Sequence, residues 1–409
     1  MTELYDMVIV GGGPAGLAAA IYGARAKMKT VIIEEGELGG QAASTQVIEN
    51  YPGFFGPEAG QDVVEKMAAH AAHFGAEIIS DEVTGVELVG EMKKVTTVEH
   101  GVYQGHTVIF CPGSQPRVLG IPGELEFRGR GVSYCATCDG DFFTDLELAV
   151  VGNGDAAIEE AMHLTRFASK VTIIVIHDQG IVDCNKVSAE KAFANPKISW
   201  VWNSVLTEIQ GEELVDGVTI KNIKTGECSA LAVSGVFFFV GSVPRTQLVA
   251  QQLPLNPQGY IITNEQMETA LPGVYAAGDV RQKYLRQVIT AAADGATAAV
   301  AAGQYISETE LFRKQVLAEQ KPVLLVFWAP QNAQSIATCG NAEKLSAVLS
   351  GSCKLVKMDT YRNQKTAANY GVNELPTVLL LQQGELLGKL SGDISTAQFM
   401  GLLQNCGER

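Results

Sequence analysis

The stretch Asp6-Met7-Val8-Ile9-Val10-Gly11-Gly12-Gly13-Pro14-Ala15-Gly16 decides the fold class. A short apolar strand runs directly into a G-x-G-x-x-G turn, and an Ala- and Leu-rich helix continues to about Ala26. In that context each glycine has a physical task. Gly11 permits the tight turn, Gly13 lets a pyrophosphate approach the backbone, and Gly16 lets helix and strand pack closely. The helix N-terminus adds free N–H groups and partial positive charge for the phosphates. A second strand, Thr30 to Ile33, ends in Glu34, near the spacing at which a carboxylate meets the adenosine ribose. The stretch predicts a Rossmann-like α/β nucleotide-binding unit.

The same pattern returns about 140 residues later. Leu146 to Val151 reads as a strand, Gly152-Asn153-Gly154-Asp155-Ala156-Ala157 as a G-x-G-x-x-A turn, Ile158 to Phe167 as a helix, and Lys170 to Ile176 as the next strand. Two such units imply two nucleotides, or one nucleotide and a degenerate copy. Between them lies Tyr134-Cys135-Ala136-Thr137-Cys138-Asp139-Gly140. Two thiols two residues apart can close a small disulfide or supply half a zinc site. A structural zinc needs a second pair, and none occurs at suitable spacing, so redox use is favoured and no metal is expected. Cys-X-X-Cys pairs also depress one thiol's pKa, and the thiolate is the nucleophile in exchange. Asp139 is placed to give and take protons.

Further along, Gly39-Gly40-Gln41 and Glu49-Asn50-Tyr51-Pro52-Gly53 are polar, Gly-punctuated loops expected to cover the ligand. Gln61 to Phe74 predicts an amphipathic helix, and Ala76 to Val108 alternates as a β-meander. Val108-Ile109-Phe110-Cys111-Pro112-Gly113 closes a first lobe. Trp200-Val201-Trp202 and Val236 to Val240 read as strand core rather than stacking platforms. Gly278-Asp279 sets a carboxylate at a strand end, where it can accept hydrogen bonds from sugar-alcohol hydroxyls. Arg286-Gln287-Val288 opens an Ala-rich helix to about Tyr305, and a helix N-terminus there would stabilise negative charge on a reduced ring. Ser307 to Lys321 reads as a linker or docking helix, and the last 90 or so residues as a separate domain.

Composition narrows the function classes. The 409 residues include 43 Gly, 46% hydrophobic and 7% aromatic residues, a globular α/β balance with no apolar run of spanning length. A formal charge of −15 disfavours nucleic acid and anionic membrane surfaces as partners. The acidic start, Met1 to Asp6, lacks signal-peptide character. Eight cysteines, mostly unpaired by spacing, suit a reducing compartment, so a cytoplasmic location is expected.

With these residues assembled, the chain from about 1 to 305 resembles the low-molecular-weight thioredoxin reductases, FAD-dependent proteins of the pyridine nucleotide-disulfide oxidoreductase type. The resemblance is specific because the glycine turn, Gly39-Gly40-Gln41, Glu49 to Gly53, Cys135 to Gly140, Ala276-Ala277-Gly278-Asp279 and Arg286-Gln287-Val288 occur in the family's order. It implies a discontinuous FAD-binding domain, 1–114 and 245–305, with an inserted NAD(P)-binding-like domain, 115–244, that carries the disulfide. The implied flavin contacts are Gly11, Gly13, Pro14, Ala15, Gly16, Glu34, Gly40, Gln41, Asn50, Gly113, Gly278, Asp279, Arg286, Gln287 and Val288. Gly278 and Asp279 would hold the ribityl chain, while Asn50 and Gln287 would border the ring. By the same analogy Cys138 lies against the flavin, Cys135 attacks a thioredoxin-like partner disulfide, and Asp139 serves as acid and base. A homodimer with a rotating inserted lobe is also implied.

The departures concentrate at the second nucleotide site, Gly152, Gly154, Asp155, Ala156 and Asp178. Where the family carries arginines for the 2′-phosphate of NADPH, this chain has Val175-Ile176-His177-Asp178 and Ile181. Arginine supplies the charge and forked donors that a phosphate needs, so efficient NADPH use is not expected. Asp178 would hold a 2′-hydroxyl of NADH or sit in a solvated loop; Ala156 and Arg245 also differ from the pattern. A ferredoxin, another redox protein or a second flavin is the expected replacement donor or acceptor. The alternatives are an NAD(P)H-dependent thioredoxin reductase with a degenerate docking domain, and a non-catalytic redox or nucleotide sensor. After a linker at 306–320, residues 321–409 resemble thioredoxin through Lys321 to Pro330 and Leu375-Pro376-Thr377-Val378. Asn332 and Ser335 stand at that family's two cysteine positions and Val326 at its buried carboxylate, so dithiol exchange by that mechanism is excluded here. Cys339 reads as a buried structural cysteine.

Overall fold

A computed structural model describes residues 3–43, 48, 50–54, 58–348 and 353–404. Glu49 and Cys406 lie outside the described residues. The chain divides into two compact units, Met1–Ala298 and Ala299–Arg409.

In the first unit the opening strand is β1 (Leu4–Val10), followed by α1 (Pro14–Arg25) and β2 (Thr30–Glu34). Then come α2 (Gly60–His73), β3 (Glu77–Ser80), β4 (Val83–Glu87), β5 (Lys93–Thr97) and β6 (Val102–Phe110). Pro14 starts α1, where its missing N–H costs nothing. β1 lies between β2 and β6, parallel to both, and β3 joins β2 in parallel. This corrects the expected meander: Glu77–Ser80 is the parallel edge strand reached through α2, and only β4, β5 and β6 run antiparallel. An alternating pattern is the same for a parallel edge strand and a meander strand; the intervening helix is what dictates the parallel return.

Leaving this sheet, the chain forms β7 (Ser114–Pro116), β8 (Val132–Ser133), the short α3 (Ala136–Asp139), β9 (Glu147–Val151), α4 (Asp155–Leu164) and β10 (Lys170–Ile174). It continues with α5 (Lys186–Ala194), β11 (Ile198–Val201), β12 (Ser204–Gly211), β13 (Val215–Asn222), β14 (Cys228–Ala232) and β15 (Gly235–Phe238). Helix α4 begins at Asp155 rather than Ile158, because Gly154 is extended and Asp155 occupies the first turn, where negative charge is favoured. The second sheet, ordered β11-β10-β9-β15-β8, is parallel throughout. Val236, Phe237 and Phe238 are core, whereas Trp200 and Trp202 stack on each other, half-buried, with centroids 5.0 Å apart. The chain returns through β16 (Ser242–Pro244), which pairs antiparallel with β7, and then β17 (Val274–Ala276), which completes the first sheet beside β6.

Helix α6 spans Val288–Phe312, and a π-helical turn covers Arg313–Leu317. The stretch 306–320, expected as a linker, is therefore largely helical. Val316 is fully buried beside Val323, Leu325 and Phe327, so the segment belongs to the core of the second unit. That unit's sheet has the order β19-β18-β20-β21, from β18 (Val323–Trp328), β19 (Lys354–Asp359), β20 (Thr377–Gln382) and β21 (Glu385–Ser391). Strand β18 splits its side chains between two apolar layers: Val323, Leu325 and Phe327 on one face, Leu324 and Val326 on the other. Helices α7 (Ala333–Val348), α8 (Gln364–Asn369) and α9 (Thr396–Gln404) complete it, and the Leu375–Pro376 peptide is cis. No helix among the described residues is long and apolar enough to cross a membrane.

Candidate functional site

A cleft of ≈1500 Å³ opens within the first unit, at the ends of β1, β6 and β17. Its floor is the turn after β1. Gly11 has φ +105°, and a Cβ there would sit 2.4 Å from the Cys111 carbonyl oxygen, so only glycine fits. Gly16 does not line the cleft; a Cβ on it would fall 1.9 Å from the Gly11 carbonyl oxygen, which makes it the close-packing glycine. Gly13 and Gly40 are different in kind. An added Cβ at either would meet no atom closer than 3.9 Å, so their backbone stands bare to the cleft beside Pro14 and Ala15 at the start of α1. Such a cradle fits a pyrophosphate.

The expected flavin residues gather here from distant parts of the chain. Glu34, Gln41, Asn50, Gly113, Gly278, Asp279, Arg286, Gln287 and Val288 all line the same cleft. Glu34 accepts a hydrogen bond from the Gly12 N–H, which holds its carboxylate against the turn. Gln41 donates to the Ser114 carbonyl. Asn50 Nδ2 donates to Gln287 Oε1 at 3.1 Å, joining residues 237 apart in sequence. Gly278 N donates to Asp294, whose buried carboxylate also pairs with Arg281 and Lys283. These fix the Gly278–Val280 turn that presents Asp279. Burial pushes the Asp279 carboxyl above its ordinary pKa, while Lys283 and Arg286 oppose the rise. Its Oδ1 is buried with no hydrogen-bond partner, as is Arg286 Nε. Orphaned polar atoms in a cleft with a bare backbone cradle fit a dinucleotide carrying hydroxyls, such as FAD.

The Cys-X-X-Cys segment meets this cleft. Cys135 is disulfide-bonded, half-buried and part of the lining, with Tyr134 and Asp141 beside it. The side chain of Cys138 lies outside the described residues. Asp139 does not line the cleft; Ser133 Oγ donates to its Oδ2 at 2.6 Å. Burial raises the Asp139 pKa; the Ser133 hydrogen bond lowers it and Asp141 adds to the rise. Sequence reasoning missed Ser133, Glu124 and Asp294. Glu124, fully buried, accepts from the Tyr134 hydroxyl at 2.8 Å and from Leu119, Gly120 and Ile121 N–H groups. Only the offsets of Ser133 from Cys135 and Asp139 could have signalled it.

The second glycine turn is arranged differently. Gly154 has open space around it, but Asp155 Oδ1 accepts from Asn185 N at 2.7 Å and Nδ2 at 2.9 Å, which lowers its pKa. Asp183 forms a parallel bridge with Gly154, donates its N–H to the Asn153 carbonyl, and binds His177 Nε2 at 2.9 Å and Asn153 Nδ2 at 3.2 Å. Asp178 pairs with Lys224, which holds its carboxyl below the ordinary value. Ala156, Ile176 and Ile181 are exposed. Arg245 is not at this turn; it lines the flavin-type cleft and donates N–H to the Gly113 carbonyl.

In the second unit Asn332 caps α7, accepting from Ser335 N at 2.9 Å, and Ser335 is fully buried with Oγ unpartnered. Cys339 is buried, which raises its pKa. Neither Asn332 nor Ser335 carries a thiol.

Comparison with known proteins agrees with this geometry. The pyridine nucleotide-disulphide oxidoreductase family matches residues 5–295 and the thioredoxin family residues 304–405. The chain is 47% identical over 312 residues to a thioredoxin reductase of Peptoclostridium acidaminophilum, covering 75% of this chain and 98% of that one. It is 34% identical over 431 residues to a bifunctional thioredoxin reductase/thioredoxin of Mycobacterium leprae, covering 95% and 94%. The crystal structure of a Streptococcus pyogenes thioredoxin reductase superposes with a TM-score of 0.64 at 45% identity, over 75% of this chain and 99% of that one. The chain belongs to the thioredoxin reductase family of flavin-dependent disulfide oxidoreductases, here continuous with a thioredoxin domain that lacks the two active-site cysteines.

Proposed function

We propose that this enzyme passes electrons between FAD, bound by residues 1–114 and 245–305, and a Cys135–Cys138 disulfide on the inserted segment 115–244, and from there to a thioredoxin-type protein disulfide. The observation that carries the proposal is that disulfide-bonded Cys135 opens into the cleft whose glycine cradle, Asp279 and Asn50–Gln287 pair fit the flavin. FAD supplies two-electron exchange with a disulfide when bound. The chain's own part is to hold and orient. The Gly13 and Gly40 backbones take the pyrophosphate, Asp279 Oδ1 takes a ribityl hydroxyl, and Gln287 and Asn50 border the ring. In the outward step the Cys135 thiolate attacks the partner disulfide, and Cys138 closes on Cys135 to release a dithiol. Asp139 hands a proton to the leaving thiolate and recovers one from the enzyme thiol.

The donor is proposed to be something other than NADPH, with a redox protein such as a ferredoxin or a second flavin as candidates. Lys224 is the cation beside Asp178, and the two pair with each other, so this ammonium is engaged and not offered to a 2′-phosphate. The pair is exposed to solvent, which screens it, so it stabilises the fold little. The larger loss is that of the family's arginines, each contributing about 1.5 to 3 kcal/mol toward a phosphate. Removing two would weaken NADPH by roughly a hundredfold or more. The Asp183 bridge across Gly154 adds a carboxylate to the same turn. The competing reading, NAD(P)H dependence, is favoured by the match to a pyridine nucleotide-disulphide oxidoreductase family. Anaerobic titration of the holoenzyme with NADPH, and separately NADH, while following flavin absorbance separates the two. Slow or absent bleaching is expected, and rapid bleaching at micromolar NADPH would overturn the donor assignment. Cofactor extraction yielding two flavins per chain would identify the second-flavin form. A homodimer is the proposed assembly, to be read by light scattering.

A further inference from the structure

Ser133 sits on β8 two residues before Cys135, and it is buried, 5% exposed. Its oxygen stands at the meeting point of three groups. Cys135 N donates to Ser133 Oγ at 3.1 Å. The Ser133 hydroxyl has two acceptors in reach, Asp139 Oδ2 at 2.6 Å and the Cys135 carbonyl at 3.3 Å. A serine has one O–H, so it can serve only one of them at a time. With Asp139 ionised, the O–H points to the carboxylate, the shorter and charge-assisted bond. With Asp139 protonated, the carboxylic O–H donates back to Ser133 Oγ, and the serine proton turns to the Cys135 carbonyl. Asp139 Oδ2 thereby keeps a hydrogen bond to Ser133 in both protonation states.

From this arrangement we infer that Ser133 is a positioning residue for dithiol–disulfide exchange, a hydroxyl that swivels between the Asp139 carboxylate and the Cys135 carbonyl as Asp139 gives and takes its proton. It rests on the assignment of Asp139 as acid and base above. In the outward step the enzyme dithiol and the partner disulfide become enzyme disulfide and partner dithiol, two electrons passing with two protons. One proton reaches the partner's leaving thiolate from Asp139, and Asp139 is reprotonated from the Cys138 thiol; the second proton, released to solvent when the Cys135 thiol ionises, returns from solvent to the partner's other thiolate. A half-buried carboxyl that must change state twice per turnover is helped by a neighbour that bonds it in both states, since leaving either form without a partner away from water is costly. Other charged groups bear on the site as well. Asp141 follows on the same turn and raises the Asp139 pKa, and from α4, packed against α3, Glu160 and His163 line the cleft.

The sign of the effect follows from the bond. The hydrogen bond from Ser133 favours the carboxylate and opposes burial. In Ser133→Ala the Asp139 pKa rises, so the acid form persists to higher pH. The limb of the pH–rate profile that falls as Asp139 loses its proton moves up by about one pH unit, the order expected for one charge-assisted bond. The experiment is stopped-flow reaction of the dithiothreitol-reduced holoenzyme with a thioredoxin disulfide over a pH series, for the wild type, Ser133→Ala, Ser133→Thr and Asp139→Asn. Carboxyl infrared absorbance is followed in parallel as a direct titration of Asp139. The expected result is an upward shift of both readouts in Ser133→Ala, return toward the wild type in Ser133→Thr, and loss of the limb in Asp139→Asn. An unshifted profile and unshifted carboxyl titration in Ser133→Ala, with the limb still lost in Asp139→Asn, would overturn the role of Ser133 and leave that of Asp139 standing. A limb retained in Asp139→Asn would overturn both.

Discussion

Asp279 Oδ1 is buried against its own turn without a hydrogen-bond partner, at a cost of about 1 to 3 kcal/mol for the unmade bond. Its neighbours do not relieve it. Asp294 faces the Gly278 N–H, Arg281 and Lys283 instead, which leaves the Asp279 oxygen for a ligand hydroxyl. Asp279→Ala is therefore expected to purify with at least a tenfold lower flavin content than the wild type, read from the visible-to-ultraviolet absorbance ratio; an unchanged ratio would assign the orphaned oxygen to something else. The opposite case is Ser335, buried with an orphaned hydroxyl where the thioredoxin family has a cysteine. Its neighbour Asn332 has become a helix cap, a role in which an amide side chain is stabilising and a thiol is not.

At the scale of elements, the helix Val288–Phe312 and the π-helical turn after it show why the end of a periodic apolar pattern is a poor boundary marker. Ser307 to Lys321 is rich in charged and Gln side chains, yet Val316 is fully buried and Glu308, also buried, accepts from the Thr366 N–H. The segment is polar on one side and part of a core on the other. A fragment of residues 299–409 should fold cooperatively, whereas residues 321–409 lose Val316 and the Glu308 bond. Deleting a buried valine and a buried capping carboxylate together should lower stability by about 2 to 5 kcal/mol, visible as a lower urea midpoint, and equal midpoints would restore the linker assignment. The turn Gly11 to Gly16 behaves the other way. Its conformation depends on consecutive residues and close packing within one strand–helix pair, and the strand–turn–helix order read from the sequence is the one observed, although Gly16 packs against Gly11 instead of lining the cleft.

At the scale of the whole molecule the redox chemistry is asymmetric. The first unit holds a disulfide-bonded Cys135 in a cleft; the second keeps a thioredoxin sheet and cis-proline loop but no exchange pair at its active-site positions. Burial raises the pKa of Cys339, so the thiolate needed for exchange is scarce at neutral pH. Turnover of a thioredoxin disulfide should be abolished in Cys138→Ser and unchanged within about twofold in Cys339→Ser, a margin set by the mild repacking of one buried thiol. Equal losses would return chemistry to the second unit. What the sequence by itself determined were the features encoded by neighbours along the chain: two strand–glycine–helix turns, the Cys-X-X-Cys segment, the missing cysteines at Asn332 and Ser335, and the missing arginines around Asp178. What only the tertiary structure decided were the features made by residues far apart. They include the Asn50–Gln287 bond across 237 residues, the Asp178–Lys224 pair, the Asp183 bridge over Gly154, the parallel place of Glu77–Ser80, and the burial of Val316. The division has a physical cause. A turn's dihedrals and a motif's spacing are local quantities, whereas burial, charge pairing and strand order depend on which surfaces the folded chain brings together.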